Sequence, residues 1–470
     1  PIPSSLRSQK NHLPSAPQRP VSLLCSTPAC IAPVRLLWTP ETAKLERVEQ
    51  GPKLAAKNMG RTRRSGTRVV IIGGSFAGLR CYRMLKSHLS TTLVDAKGFF
   101  EFTPAALRCM VQPSHAAHVL LPLPEGAVTA TATAVRAAKD GNSGVVELSD
   151  GSELPFDYCI IATGSAYVAP IRPDETLPSS ISARTAQLES ACVELCAANH
   201  ITIVGGGTVG VELAAEVVGK WPGKAVTLVA SQERLLARMP HGASAYALRW
   251  LAKRGVDVVL GERIINWGDF LGTGDSGKEN VLTTDQGRKI NTNLVYKCVG
   301  FKPCGEVASK LSGSPEVEQG SACFGAIPVM ETMQVAGQTC IFAVGDCTDT
   351  AEEKTALAAD LAATCAARNV LSLARGGTAK DIFPKDVCFG GSRVPDVVNV
   401  SLYKFHAVMQ FNRLVISGWI PAFVKVLVEF FQMRVAAGSW LWNAIWERQE
   451  AMMIWMGKFL FTGSDYYVPM

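Results

Sequence analysis

Apolar residues run in short unbroken blocks through most of this chain, and two sets of blocks follow one plan. Residues 68–72 and 201–204 are too short for helices and rich in β-branched side chains, so each predicts a buried strand. A glycine turn follows each, Gly73-Gly74-Ser75-Phe76-Ala77-Gly78 and then Gly205-Gly206-Gly207-Thr208-Val209-Gly210. Beyond each turn the pattern becomes helix-like, then returns to an apolar block at 91–95 and at 226–230. The expected order is strand, turn, helix, strand, given twice.

The intervening pattern fills in the rest. Residues 98–108 read as a loop entering a short apolar helix, turns fall at 140–142 and 150–151, and 158–161 read as a buried strand. That strand ends on the small-residue turn Ala162-Thr163-Gly164. Residues 171–198 predict a connector and a helix. Strands are expected at 255–260 and 294–303, a hairpin at 268–292, and a strand at 339–344 ending in Gly345-Asp346. An Ala-rich helix over 353–374 follows. The chain is thus expected to return to its first sheet after completing a second. This is an α/β architecture of two dinucleotide-binding domains, the second (171–305) inserted in the first (67–170 and 306–378), with a C-terminal segment at 379–470.

Composition changes this picture in two places. Residues 1–66 carry 11 Lys/Arg against 3 Glu, whereas the remainder carries 36 against 37, so the net charge of +7 resides in the leader. The body is near neutral and gives no reason to expect nucleic acid. The leader's Ser, Pro, Arg and Ala content suits a disordered segment or an organellar transit region, for mitochondrion or plastid. Met59 is the alternative start, which would leave the protein on the cytoplasmic face of a membrane. The 14 cysteines are scattered without a Cys-x-x-Cys pair, so buried reduced thiols are expected, with neither a metal site nor a redox disulfide.

The glycines carry specific chemistry. The first of each set permits a tight turn, the second lets backbone approach a pyrophosphate, and the third lets helix and strand pack closely. The helix N-terminus adds unpaired N–H groups and partial positive charge for phosphates. Two such units imply two dinucleotides able to exchange electrons.

These elements, in this order, resemble the two-dinucleotide-binding flavoprotein superfamily of pyridine-nucleotide oxidoreductases. The likeness is to its apoptosis-inducing-factor-like branch, especially ferroptosis-suppressor-type quinone reductases, and to type II NADH dehydrogenases. It covers about 67–435 and is carried in particular by 226–232, 255–257 with 261–263, and 105–108. The resemblance implies FAD on the first turn, with Gly73, Gly74, Ser75, Phe76, Ala77 and Gly78 at its pyrophosphate. Ser75 stands where the second glycine usually lies, which reduces room there. Asp95 matches the acid on the adenosine ribose, and Arg108, Ala162, Thr163 and Gly164 fall near the cofactor. Asp346, after Gly345, matches the carboxylate that accepts hydrogen bonds from the ribityl chain. Thr355 and Ala356 open a helix aimed at the isoalloxazine, where Lys354 would stabilise negative charge.

The second turn (Gly205, Gly207, Gly210) matches the NAD(P)H site, with Gly300 in the turn that closes over the nicotinamide. Glu212 either faces the flavin or supports its helix. At the end of the 226–230 strand, where NAD-specific sites place an acid, this chain has Ala230, then Ser231 with Arg234 nearby. A 2′-phosphate is therefore allowed, and NADPH is expected as donor alongside or instead of NADH. The branch implies a quinone or similar lipophilic acceptor. Five of the nine tryptophans lie in the last 52 residues, and Lys425, Glu429 and Arg434 fall near one stripe of an otherwise apolar helix over 422–434. This segment reads as a peripheral membrane anchor, or as a helix packed on the body, a homodimer partner or a membrane complex. The alternative function is a flavin-bound structural or signalling subunit with little turnover.

Overall fold

The computed structural model describes residues 66–174, 176, 178–267, 280–300, 302–309, 311, 325–383, 395–457, 460 and 466–469. The leader through residue 65 and the 268–279 part of the expected hairpin lie outside the described residues.

Arg68–Ile72 is buried in all but its first residue, as a strand covered on both faces must be. It pairs in parallel with Ser90–Asp95 on one side and Tyr158–Ile161 on the other. Ile341–Ala343 then adds beyond Tyr158–Ile161, and Val128–Thr129 closes the opposite edge. The second sheet is built alike: His200–Val204 lies between Ala225–Ala230 and Leu294–Lys297, with Val256–Leu260 outside, all parallel. Because Ile341–Ala343 follows the second sheet in sequence yet pairs in the first, the second Rossmann-like unit is inserted in the first.

Each sheet is covered by helices. After the first strand comes α1 (Phe76–Leu85), followed by the short α2 (Ala106–Val111) and α3 (Ala116–Val119). The crossover helix α4 (Ile181–Ala197) leads to the second sheet, covered by α5 (Thr208–Lys220) and α6 (His241–Ala252). The Ala-rich helix α7 (Ala356–Ala374) packs on α1, burying Ala359, Ala362, Ala363, Ala366 and Ala367. It begins later than the sequence pattern suggests because Thr355 caps it, its Oγ1 accepting from Ala358 N at 3.2 Å.

The C-terminal sheet is antiparallel through Val397–Ser401, Ala407–Phe411 and Leu414–Gly418. Its first strand stops at Ser401, just before the chain turns at Tyr403 with φ of +64°. Two helices follow, α8 (Trp419–Ala436) and α9 (Trp440–Gly457). Phe430, Phe431 and Trp442 join them through edge-on ring contacts of 5.2–5.4 Å between the helices. A buried charge cluster fastens α9 to the first unit: Arg80 of α1 lies 3.5 Å from Glu450, 3.3 Å from Glu447 and 3.8 Å from Asp360 of α7. Trp446 Nε1 donates to Glu450 Oε1 at 2.8 Å.

Candidate active site

The two glycine turns make matching contacts. Gly73 N donates to Val94 O at 2.7 Å and Gly205 N to Val229 O at 2.8 Å, so each turn bonds to the end of its second strand. Both have strongly positive φ, and a Cβ would lie 2.2 Å from Ala162 O at Gly73 and 2.3 Å from Cys298 O at Gly205. Gly78 and Gly210 sit against the carbonyl oxygens of Gly73 and Gly205, where a Cβ would meet them below 2 Å. Ser75 corresponds to Gly207. Its φ of −98° is ordinary extended backbone, and around Gly207 a Cβ would meet nothing within 4 Å. The backbone at Ser75 therefore takes a side chain without strain. Neither α1 nor α5 has a side-chain cap at its start, which leaves first-turn N–H groups for phosphate oxygens.

One continuous cavity of about 1930 Å³ touches both turns. That exceeds the few hundred to about 1,000 Å³ of a single small-molecule pocket, and leaves room for two extended ligands. Its wall includes Gly73, Ser75, Phe76, Ala77, Asp95, Ala162, Thr163, Gly164, Gly205, Gly207, Glu212, Ser231, Arg234, Gly300, Gly345, Asp346, Lys354, Thr355 and Ala356. Gly74, Gly78 and Gly210 stand behind it, shaping the turns. The residues present fit an FAD at the first turn: the uncapped start of α1 opens on the cavity there, and Asp95 and Asp346 line the same cavity. Asp95 is also bound to the turn itself, accepting from Gly74 N at 2.5 Å and Lys97 N at 2.6 Å. Asp346 accepts from Ser165 Oγ at 2.9 Å.

Three cations behave differently from the sequence expectation, each because a partner distant in the fold or a nearby loop engages it. Arg108 does not line the cavity; its Nε and an Nη each donate to Glu216 of α5 at 2.6 Å, and Tyr403 lies under the guanidinium. Arg234 lines the cavity, but its two Nη groups donate to Met239 O, at 2.7 Å, and to Ala237 O. Lys354 Nζ folds back on Thr348 O, Thr350 O and Thr350 Oγ1 at 2.9–3.0 Å. Burial lowers the Lys354 pKa, opposed by Asp346. The ammonium braces the 348–350 loop at the foot of α7.

Several wall residues carry no local motif. Arg184 of α4 is buried and donates to Glu101 at 2.7 Å and Pro170 O at 2.8 Å. Lys425 of α8 reaches Glu212 Oε1 at 2.5 Å, and Ser401 N donates to the same oxygen at 2.6 Å. Helices α8 and α9 also line it, with Val424, Val428, Trp446, Met452, Met453 and Met456 beside the polar Lys425, Gln432 and Gln449. No disulfide joins any of the ten described cysteines, and burial pushes the wall residue Cys298 up to about 12, so it stays protonated near neutral pH.

A double glycine-turn fold around one two-ligand cavity defines a nucleotide-dependent flavoprotein oxidoreductase. The chain belongs to the pyridine nucleotide-disulphide oxidoreductase family, which it matches over residues 67–364. FAD and NAD(P)H are the cofactors of that family. It is 31% identical to human ferroptosis suppressor protein 1 over 306 residues, spanning 65% of this chain and 80% of that one. It is likewise 31% identical to apoptosis-inducing factor homolog B of Dictyostelium discoideum over 333 residues, 66% and 82% of the two chains. Among solved structures, the sulfide:quinone oxidoreductase of Aquifex aeolicus shares the fold, with TM-score 0.59, 18% identity, and coverage of 80% and 92%.

Proposed function

We propose that this protein is an FAD-dependent NAD(P)H:quinone oxidoreductase working at a membrane surface. The observation that carries the reading is the single cavity, which joins both dinucleotide turns to a wall of α8 and α9. FAD, when bound, accepts hydride from the nicotinamide and hands electrons to the acceptor. The chain's own groups do the rest. The uncapped helix starts hold phosphates, Asp95 orients the adenosine ribose and Asp346 the ribityl chain, and Gly300 and Cys298 bound the nicotinamide side. Val424, Val428, Met453 and Met456 offer apolar contacts where a lipophilic ring would sit.

Helix α8 supports the membrane reading because its polarity is inverted. Lys425 and Glu429 turn inward, the latter 3.0 Å from His115, while Trp419, Phe423, Val426 and Phe430 form one exposed stripe. Trp440, Leu441, Ile445 and Met452 of α9 are also exposed. Among the described residues no helix is long and apolar enough to cross a membrane. A stripe of this kind fits lying on a bilayer, near where a quinone would enter.

The test is anaerobic mixing of the FAD-loaded protein with NADPH or NADH, followed by a short-chain quinone. Bleaching of the flavin absorbance and its recovery on quinone addition are expected. A protein that stays oxidised with both nucleotides refutes the enzyme reading and favours a structural subunit.

A further inference from the structure

Lys425 is the one cation that the described C-terminal residues 395–457 bring to the cavity wall. The side chain is about one-fifth exposed, flanked on α8 by Val424 and Val428, and its partner Glu212 lines the same cavity from α5. Lysine among apolar side chains is costly unless paired, and a pair of aliphatic residues would fill the same space at less cost. Moreover, the pairing is asymmetric. Glu212 Oε1 is also held by Ser401 N, so the carboxylate is fixed by backbone, whereas no other described side chain engages Lys425 Nζ.

The proposed reaction leaves a role for such a group. NAD(P)H delivers two electrons and one proton as hydride, whereas a hydroquinone carries two electrons and two protons. One further proton has to reach a quinone oxygen inside the cavity. We propose that Lys425 is the proton donor to the quinone, with Glu212 holding its ammonium at the cavity wall. This rests on the quinone-reductase reading above. As electrons reach the quinone, its oxygen becomes basic, the Nζ–H bond breaks and an O–H bond forms. The neutral amine then regains a proton from solvent. The sum is NAD(P)H, one proton and quinone giving NAD(P)+ and hydroquinone. Lys354, expected from the resemblance to stabilise charge on the flavin, is poorly suited to donate a proton, since its Nζ binds the 348–350 loop.

The experiment compares Lys425→Met and Lys425→Arg with the wild type, all FAD-loaded. Arginine keeps the charge and the pairing with Glu212 but does not give up a proton at neutral pH. Three quantities are measured: the rate of flavin bleaching by NADPH, turnover with a short-chain quinone, and turnover with ferricyanide, which takes electrons without protons. General acids typically contribute 10²–10⁴-fold, so both variants are expected to lose on the order of 100-fold with quinone. Bleaching and ferricyanide turnover are expected to move less than about threefold, which also certifies the fold. Quinone turnover restored to wild-type level by Lys425→Arg would assign Lys425 to pairing alone and overturn the proposal. So would ferricyanide turnover falling in parallel with quinone. A wild type that bleaches but never reduces quinone defeats the quinone reading itself, a result distinct from either.

Discussion

Replacing Glu450 by glutamine is expected to make folding stability less dependent on pH. Glu450 lies on α9 with 3% of its surface exposed, against Arg80 and Arg83 of α1, Asp360 of α7, and Glu447 of its own helix. Burial, reinforced by Asp360, raises its pKa from 4.5 to about 9, with Arg80 opposing. The sign follows from proton counting. Between about pH 5 and 9 the folded chain holds a proton that the unfolded chain releases. The stability this site contributes is therefore fully present below the unfolded value and is lost as pH rises through the folded one. The slope is at most about 1.4 kcal/mol per pH unit, hence up to about 4 kcal/mol between pH 5 and 8. Glutamine imitates the protonated acid: its carbonyl still accepts from Trp446 Nε1, and its amide can donate to Asp360. Urea unfolding of both FAD-loaded proteins from pH 5 to 8.5, followed by tryptophan emission, should give a variant-minus-wild-type stability difference that grows with pH. A difference that is flat across that range would refute the argument.

Three other outcomes are expected. Arg108→Ala leaves the nearly buried Glu216 carboxylate unpaired and should cost about 3–5 kcal/mol, read as a lower urea midpoint; a loss under 1 kcal/mol would show that water replaces the guanidinium. Gly205→Ala puts a methyl group 2.3 Å from Cys298 O, so affinity for NADPH, titrated by calorimetry, should drop at least about tenfold while flavin content is kept; equal loss of both cofactors would argue against two separable turns. Phe423→Ser combined with Val426→Ser should shift the protein from the vesicle fraction to the supernatant in flotation on anionic liposomes, with NADPH bleaching unchanged. Retained flotation would remove the α8 stripe from the membrane reading.

The sheets and turns were legible because they depend on neighbouring residues. A β-branched block followed by Gly-x-x-x-x-Gly has few ways to fold, and the return of the chain to its first sheet shows in the block at 339–344. The charged side chains were less legible, since their partners are remote. Arg108 meets Glu216 across 108 residues and Lys425 meets Glu212 across 213. Neither pair has a periodicity that betrays it. The expected stripe of Lys425, Glu429 and Arg434 held only in part: Lys425 and Glu429 face inward, toward Glu212 and His115 on other elements, whereas Arg434 is exposed over the Phe430 ring.

The inverted polarity of α8 has a kinetic corollary. If the protein rests on a bilayer by that stripe and its acceptor dissolves in the same bilayer, the two meet by lateral diffusion. Turnover would then follow the mole fraction of quinone in the lipid and not its amount per unit volume of buffer. Diluting the film with quinone-free lipid would slow the reaction at constant total quinone, while diluting the whole suspension with buffer would scarcely alter the rate per molecule bound.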